Sequence, residues 1–412
     1  MRASARVGVT RDRGTLYCTT IYFPALRRIA FRAFAPSRRA LVVLLAFIAL
    51  LAIAAPAFAR NANAGELRHG VNLSHWFEQE GRAPVGAADF AALHEAGFDH
   101  VRIPVNPARL GWSPTQLNPS LTIAPLADAI HTALDAGLDV VVDVAPSEAD
   151  RARVEADHAA FASYTRVAQT IAQTLTRFPA NRVFLEPLNE PQFYGWMGAG
   201  RWQTLQGQLI ADLRTVAPHL TLIVMGRQGG SLEGLEELTP YRDPNLVYSF
   251  HYYLPYIFTH QGAPWMRDDT GTTAGLFSHV LYPSQLARQT PPFERNTPDA
   301  SQRMTAELTR YESDDWSAAR VAASLRPAFE LAQQRGIRII CTEFGVLRDD
   351  VDPPSRDRWL HDVSATLDSM GMGWTVWDYT DDFGITLTDA SSGSRRLDPA
   401  VLKALGLNGA RP

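Results

Sequence analysis

Cysteine is scarce in this chain: Cys18 and Cys341 are the two among 412 residues. Cys18 lies in a basic leader that we expect to be removed, so the mature protein would have no partner for an intramolecular disulfide. A large domain exported without disulfides must be stabilised by its hydrophobic core. Cys341 lies within an apolar stretch, and we interpret it as a small packed hydrophobic residue rather than a nucleophile.

Several motifs that would indicate other chemistry are missing. No G-x-G-x-x-G turn follows the first predicted strand, which disfavours a doubly wound dinucleotide-binding sheet. No G-x-S-x-G is present, which argues against a serine hydrolase. The histidines His75, His251 and His260 lack the H-E-x-x-H spacing of a zinc site. We therefore predict no metal and no other cofactor.

The charge balance is mildly acidic, with a formal net charge of −4 at pH 7. A nucleic-acid-binding protein would favour a basic face, so we predict no nucleic-acid partner. Hydrophobic residues make up 46% of the chain, enough for one large α/β barrel or two ordinary domains. We expect a monomer.

The first sixty residues have a composition of their own. Residues 1–39 contain many arginines and a single acidic residue, Asp12, and residues 41–55 form the apolar run LVVLLAFIALLAIAA. Ala57-Phe58-Ala59 then has the small-residue pattern of a cleavage site. We predict that residues 1–59 are a basic leader and signal peptide of a secreted or periplasmic protein. The alternative is an uncleaved membrane anchor with the remaining chain outside the cytoplasm; in both cases only this segment would contact the membrane.

The remaining chain repeats one local pattern, in which a helical stretch ends at a glycine and an apolar run begins at once. A glycine just after a helix suits the left-handed C′ position, and a repeated helix–strand unit indicates parallel strands joined by helices. Eight strands are predicted, at residues 69–73, 100–105, 138–144, 182–188, 220–225, 246–251, 337–342 and 374–377. Helices are predicted at residues 87–96, 126–136, 159–177, 202–216, 318–335 and 356–369, with a weaker pattern at 233–238. We therefore predict an α/β fold, a single-domain (β/α)8 TIM barrel over residues 65–408.

The connection after the sixth strand, residues 253–316, is much longer than the others. It is rich in proline, threonine, glycine and aromatic residues and shows no strong periodicity. A segment of this kind is usually functional, as a wall of a binding site or a mobile lid.

Two predicted strands end in a glutamate. The segment RVFLEPLNEP over residues 182–191 places Asn189 and Glu190 at the end of the fourth strand, since Pro191 cannot continue a sheet. The segment IRIICTEFG over residues 337–345 places Glu343 at the end of the seventh. Side chains at the carboxyl ends of barrel strands gather on one face. Two carboxylates there match the needs of retaining glycoside hydrolysis, one as acid/base and one as nucleophile.

The other strand ends extend this pattern into a resemblance. The segments GVNLSHWF, VRIPV, LEPLNEP, FHYY, CTEFG and GWTVWDY occur in that order, and together they resemble glycoside hydrolase family 5, the cellulase family, over nearly the whole exported chain. The resemblance implies a retaining glycoside hydrolase, a cellulase-like endoglucanase that cleaves β-linked glucan by double displacement. The alternatives are a β-1,3/1,6-glucanase or mannanase on the same scaffold, or a non-hydrolytic glycan-binding barrel.

The resemblance also implies roles for individual residues. Glu190 would be the acid/base, with a raised pKa, and Glu343 the nucleophile, kept ionised by Arg102. Tyr253 would donate a hydrogen bond to Glu343, and His251 would contact Glu190. Asn189 would hold the sugar 2-hydroxyl group, and Trp377 would form the floor under the sugar. The predicted substrate-binding residues are Asn72, Arg102, Asn189, His251, Tyr253, Trp265 and Trp377.

Trp265 is favoured as a sugar platform because it lies in the long segment after the sixth strand. An aromatic face suits the apolar face of a sugar, but each other candidate is equally explained by packing. These candidates are Trp76, Trp112, Trp196 and Trp202.

One position departs from the family. Its members carry a histidine at the end of the third strand, where this chain has Ala145 and Pro146, and His158 lies too far along to replace it. Two other acidic positions have structural interpretations. Strand parity places Glu186 one layer below Glu190, where we expect an ion pair with Arg102. Asp381 and Asp382 are interpreted as loop or sugar-contact residues.

Overall fold

A computed structural model describes residues 66–82, 84–115, 121–195, 198–266, 274–289, 298–389, 391 and 394–407. The predicted leader and signal peptide, residues 1–59, lie outside these ranges. No helix within the described ranges combines the length and the apolar character needed to cross a bilayer.

Eight parallel strands close into a barrel in chain order. They are β1 (His69–Asn72), β2 (His100–Val105), β3 (Asp139–Val144), β4 (Val183–Glu186), β5 (Thr221–Met225), β6 (Leu246–Tyr252), β7 (Ile339–Phe344) and β8 (Gly373–Val376). Val71 on β1 pairs with Val101 on one side and with Val376 on the other, which closes the ring. The (β/α)8 prediction is confirmed, and the doubly wound alternative is wrong because such a sheet has open edges.

Helices surround the barrel. The longer ones are Ala87–Ala96, Ala124–Asp135, Glu148–Ala156, His158–Leu175, Gly198–Arg214, Pro298–Ser313, Ala318–Arg335 and Pro353–Ser369. Shorter helical segments are Arg227–Gly230, Leu232–Glu237, Tyr256–Thr259 and Pro399–Ala404. The glycines of the repeated helix–strand pattern all have positive φ, for example +104° at Gly97 and +62° at Gly336; the other two are Gly137 and Gly371. This is the conformation that glycine adopts at little cost and that stops a helix cleanly.

The hydrophobic core has two main layers. A small cluster of Val141, Phe184, Ile223, Val247 and Ile340 takes one residue from each of five consecutive strands and fills the barrel interior. The larger cluster lies between the strands and the helices and includes Cys341, which is fully buried. The interpretation of Cys341 as a packed residue is confirmed.

Two strand boundaries differ from prediction where they affect the site. β4 ends at Glu186, two residues early, because Pro187 has no N–H to donate to the sheet. β7 continues through Glu343 to Phe344. Glu343 is therefore held by the strand itself, whereas Asn189 and Glu190 stand on the loop after β4.

The segment after β6 is more ordered than its sequence indicated. Helix Pro298–Ser313 occupies its second half, where buried Met304 and Tyr311 lie seven positions apart on one helix face. The Tyr311 hydroxyl donates to the Leu281 carbonyl oxygen at 2.9 Å. This half of the segment is scaffold. Residues 267–273 and 290–297 lie outside the described ranges.

A short antiparallel hairpin after β8 was not predicted. It pairs β9 (Thr386–Thr388) with β10 (Arg395–Leu397), with Leu387 opposite Arg396. Three-residue strands carry too little periodicity to be recognised from sequence.

Candidate active site

Arg102 is the centre of a buried polar network at the carboxyl end of the barrel. Its Nε donates to Glu186 Oε2, its Nη1 donates to Asn72 Oδ1 and Glu343 Oε1, and its Nη2 donates to Asn189 Oδ1. Each of these four hydrogen bonds measures 2.8 Å. Burial disfavours the charged guanidinium, but the surrounding carboxylates outweigh it and raise the pKa of Arg102. The predicted ion pair between Arg102 and Glu186 is confirmed.

Asn72 and Arg102, two of the predicted substrate-binding residues, lie below the glutamates in this network. Both side chains are fully buried. The Asn72 amide accepts from Arg102 and donates to the Thr342 carbonyl oxygen at 3.0 Å. In the free site, these two residues therefore position the groups above them.

Asp143 on β3 is a further member of this network that sequence reasoning missed. Its Oδ2 lies 3.1 Å from Arg102 Nη2, yet neither carboxylate oxygen has a hydrogen-bond partner among the described residues. Burial raises the pKa of Asp143 well above its usual range. The available signal was the second aspartate of the strand DVVVDV, which interrupts a run of valines.

Glu343 is held through both of its oxygens. Oε1 accepts from Arg102, and Oε2 accepts from the Tyr253 hydroxyl at 2.8 Å. Burial and the charge of Glu343 raise the pKa of Tyr253, which keeps its hydroxyl a donor. Burial is also the largest influence on Glu343, and it raises the pKa of that carboxyl despite the opposing charges of His251 and Arg102. Arg102 alone would lower the pKa of Glu343, but burial outweighs this effect because the Glu343 side chain is only 7% exposed.

Glu190 stands on the loop after β4 with φ of +45°, a left-handed backbone that is unfavourable for residues with a side chain. Its carboxylate is 32% exposed and accepts a hydrogen bond from His251 Nδ1 at 3.0 Å. Arg151 Nη1 lies 3.8 Å from its other oxygen. Burial favours the protonated form, but the hydrogen bond and charge of His251 and the charge of Arg151 together lower the pKa of Glu190. The sequence-based expectation of a raised pKa is wrong for the free site.

His251 lies between the two glutamates. Its Nδ1 is 3.0 Å from Glu190 Oε1 and 3.3 Å from Glu343 Oε2. Burial opposes the charged ring, but the two carboxylates outweigh it and raise the pKa of His251. One oxygen of each glutamate and a nitrogen of His251 all lie within 4.8 Å of one another. The fold thus brings the two predicted catalytic residues together.

The altered loop after β3 supports the Glu190 loop. Helix Glu148–Ala156 begins at Ser147, whose hydroxyl accepts from the Asp150 N–H at 3.2 Å. The helix carries Arg151 to Glu190, and its Glu155 accepts hydrogen bonds from the backbone N–H groups of residues 192 and 193, at 2.7 and 3.3 Å. Arg151 was not identified from sequence, because the contact depends on how two loops meet.

Trp377 follows β8 and is half-buried beside Tyr253 and Phe383. The His75 ring meets Trp377 edge-on, at 6.5 Å between centroids, and His75 Nδ1 lies 2.8 Å from Asp381 Oδ2. Asp381 also accepts from Arg82 at 2.8 Å. Burial alone would raise the pKa of Asp381, but the hydrogen bond from His75 and the charge of Arg82 outweigh it and lower that pKa. Asp381 thus anchors the loop beside Trp377.

Trp265 is 52% exposed and meets His260 edge-on, with 6.3 Å between ring centroids. His260 in turn contacts the Tyr253 ring at 5.0 Å, so Trp265 stands two ring contacts from Tyr253. Trp112 and Trp202 are buried and donate to Ser163 and to the Met225 carbonyl oxygen, so they pack within the scaffold. Trp196 lies outside the described residues.

Among the residues that the structure describes, two groups of side chains bring three potential metal-ligand atoms within 4.8 Å of one another. They are His75 with Asp378 and Asp381, and Glu190 with His251 and Glu343. In each group one carboxylate already binds an arginine, Asp381 through Arg82 and Glu343 through Arg102. A cation would have to be bound against these positive charges. The histidine set considered from sequence is split between the two groups, and His260 belongs to neither.

Comparison with known proteins places this geometry in a family. The sequence profile of Cellulase (glycosyl hydrolase family 5) matches residues 61–383. The chain is 25% identical to Endoglucanase 3 of Fibrobacter succinogenes over 341 residues, which cover 77% of this chain and 50% of that protein. It is 29% identical to Endoglucanase C of Acetivibrio thermocellus over 198 residues, 48% of this chain and 54% of that protein. The chain spans about half the length of these curated relatives.

Solved structures show the same fold. Thermotoga maritima Cel5A, crystallised in complex with mannotriose, superposes with a TM-score of 0.65 at 23% identity, over 84% of this chain and 99% of that one. The cellulose synthase subunit Z (CcsZ) of Clostridioides difficile superposes with a TM-score of 0.64 at 22% identity, over 82% and 99%. Because the family profile extends over most of the chain and the barrel is shared, this protein belongs to the cellulase family, glycosyl hydrolase family 5.

Proposed function

We propose that this protein is an endoglucanase that hydrolyses β-linked glucan with retention of configuration at the anomeric carbon. The observation that carries the proposal is the pairing of Glu190 and Glu343, whose nearest oxygens lie within 4.8 Å. Carboxyl groups of retaining enzymes lie roughly 5–5.5 Å apart, and those of inverting enzymes roughly 6.5–9.5 Å apart to admit a water. The short separation favours direct attack by one glutamate.

Glu343 is the proposed nucleophile because it is held rigidly. Arg102 fixes one oxygen and Tyr253 fixes the other, so the carboxylate has little orientational freedom to lose on attack. Bond formation to the anomeric carbon neutralises its charge. That change is favoured in a buried site where desolvation already raises the pKa of Glu343.

Glu190 is the proposed acid/base because it is the more exposed of the two and stands on the loop after β4. It needs a proton in the first step, and the His251 Nδ1–H points at its Oε1. Transfer along this hydrogen bond gives a neutral imidazole and a carboxylic acid that can protonate the leaving oxygen. In the second step the Glu190 carboxylate removes a proton from the attacking water.

Asn189 is proposed to contact the sugar. Its Oδ1 is occupied by Arg102, which turns the amide nitrogen away from the network and leaves it free to donate to the 2-hydroxyl group. Such a contact strengthens in the transition state. Trp377 would lie under the same sugar, and Trp265 would contact a sugar further from the glutamates.

The substrate class rests on the family and on relatives named as endoglucanases. The test is hydrolysis of a panel of β-1,4-glucan, β-1,3/1,6-glucan and mannan, with the anomer of the first product followed by NMR. Cleavage of β-1,4-glucan with an initial β-anomer supports the proposal. Preference for another polymer reassigns the substrate, an initial α-anomer contradicts retention, and binding without turnover supports a glycan-binding barrel.

We also propose that the protein is exported, by a signal peptide within residues 1–59. The support is the basic flank, the apolar run and the A-x-A pattern of the sequence. Cell fractionation with N-terminal sequencing tests it. Mature protein in the periplasm or medium that begins near residue 60 supports export, and full-length protein retained in the membrane indicates the anchor.

A further inference from the structure

A cavity of about 270 Å³ lies at the carboxyl ends of β1 and β8, beside the glutamate pair rather than on it. Its lining includes Trp76, Arg82, Arg348, Tyr379, Asp381 and Arg395. Asp381 connects it to the proposed sugar floor, because Asp381 binds His75 and the His75 ring touches Trp377. The cavity and the proposed sugar floor are therefore linked through Asp381 and His75.

The lining carries three guanidinium groups and one carboxylate. Two of the arginines are already engaged by acidic partners: Arg82 donates to Asp381 at 2.8 Å, and Arg395 donates to Asp89 at 3.3 Å. Their charges are largely compensated, although each retains N–H groups that can donate further.

Arg348 differs from the other two. Its side chain donates one hydrogen bond within the described part of the chain, from Nη1 to the Thr386 carbonyl oxygen at 3.0 Å. Its ion pair with Asp349 is long, at 3.8 Å, and the partner is 81% exposed, so this pairing is weak. The charge of Arg348 also acts on the buried carboxyl of Asp378. Most of the five N–H donors of Arg348, and its positive charge, thus remain available at the cavity wall.

We propose that this cavity binds the carboxylate of a uronic acid residue, so that the preferred substrate is an acidic β-glucan. The inference rests on the proposed function for its glycan, and adds the charge of that glycan. A carboxylate matches the planar fork of a guanidinium, and its single charge matches the one arginine of this lining without a close ion pair better than the double charge of a phosphate does.

The aromatic wall suits the rest of that sugar. Trp76 is partly buried and held by Phe77, with 4.7 Å between ring centroids, so its exposed part offers a fixed apolar surface to a pyranose ring. The β9–β10 hairpin supplies the opposite wall, where Thr388 pairs with Arg395 and both line the cavity. Hydroxyl and guanidinium donors from this wall can bind the remaining sugar oxygens.

The test compares binding of two tetrasaccharides to the Glu190→Gln variant by calorimetry. One is cellotetraose, and the other has the same linkages with glucose alternating with glucuronic acid. We expect the acidic ligand to bind about tenfold more tightly than cellotetraose, which is the contribution of a charge-assisted hydrogen bond. This difference in affinity, the gap between the two ligands, should narrow as salt is added. Adding Arg348→Gln should weaken binding of the acidic ligand far more than that of cellotetraose and so abolish the difference between them. Arg348→Lys should keep part of the difference, and Arg310→Gln on an exposed helix face is the matched control.

Equal binding of the two ligands, a gap that salt does not change, or an equal loss for both ligands in Arg348→Gln would overturn the proposal. The salt series needs no change at Arg348, so it decides the matter even if that variant does not fold. Acid-selective binding by a wild-type protein that hydrolyses neither ligand would sustain this inference and defeat the proposed hydrolase function.

Discussion

The Nδ1 atom of His251 lies 3.0 Å from the Oε1 atom of Glu190. Despite burial, the charge of Glu343 and the hydrogen bond to Glu190 raise the pKa of His251, and the hydrogen bond and charge of His251 lower the pKa of Glu190. The proton between them is therefore carried by the imidazole in the free site. Glu190, His251 and Glu343 therefore titrate as a coupled unit. An apparent pKa in the pH–rate profile belongs to this unit rather than to either glutamate alone. The low pKa of Glu190 in the free site is therefore compatible with its proposed role, because His251 stores the proton that Glu190 must deliver.

The charge of Arg151 should set the alkaline limit of activity. This charge lowers the pKa of Glu190, so Arg151→Met should raise that pKa and keep the acid protonated to higher pH. The alkaline limb of kcat/KM should move to higher pH, with the acid limb little changed. Arg153→Met, on the exposed face of the same helix, is the control. An unmoved alkaline limb, or an equal movement in the control, would contradict the assignment.

Glu343→Ala should have no measurable turnover, because no nucleophile remains to form the covalent intermediate. Azide should restore part of the activity by entering the vacated space, and should give a glycosyl azide of inverted configuration. NMR of the product decides the configuration. Azide rescue of Glu190→Ala with a product of retained configuration is the result expected if Glu190 is the acid/base; if Glu343→Ala gave that product, the two roles would be reversed.

Arg102→Met should cost roughly 3–5 kcal/mol of unfolding free energy, since it removes the partner of several buried carboxylates. Urea denaturation measures this loss, and the rate should fall with it. A second change tests the cause: Asp143→Asn removes one of the buried acids, so it should recover part of the stability lost in Arg102→Met. No recovery, or an Arg102→Met protein as stable as wild type, would show that the network does not carry this energy.

Trp265→Ala should weaken the binding of long oligosaccharides more than that of short ones, because an exposed ring away from the glutamates contributes to binding rather than to chemistry. The expected loss is about fivefold in kcat/KM on a hexasaccharide, from roughly 1 kcal/mol of stacking. The same measurement on a trisaccharide should change little, and Trp265→Phe should retain part of the effect. Equal losses on both substrates would assign Trp265 to the scaffold.

The sequence predicted features that depend on local pattern and missed those that depend on folding. The glycines after helices predicted where the strands begin. The strand ends predicted Glu190 and Glu343, and strand parity predicted Glu186 as the ion-pair partner of Arg102. The contact of Arg151 with Glu190 joins two loops that no local pattern relates. The pKa directions of the glutamates also escaped prediction, because they depend on how far each is buried and on His251 standing between them.

Cys341 gives the barrel an internal reporter. It is the one cysteine within the described residues, it is fully buried, and its Sγ donates to the Glu343 carbonyl oxygen at 3.2 Å. Burial raises the pKa of the Cys341 thiol, so a thiol-specific reagent can react only when β7 separates from its neighbours. The rate of labelling at this sulfur would thus measure how often the strand bearing Glu343 opens, without substrate and without any engineered probe.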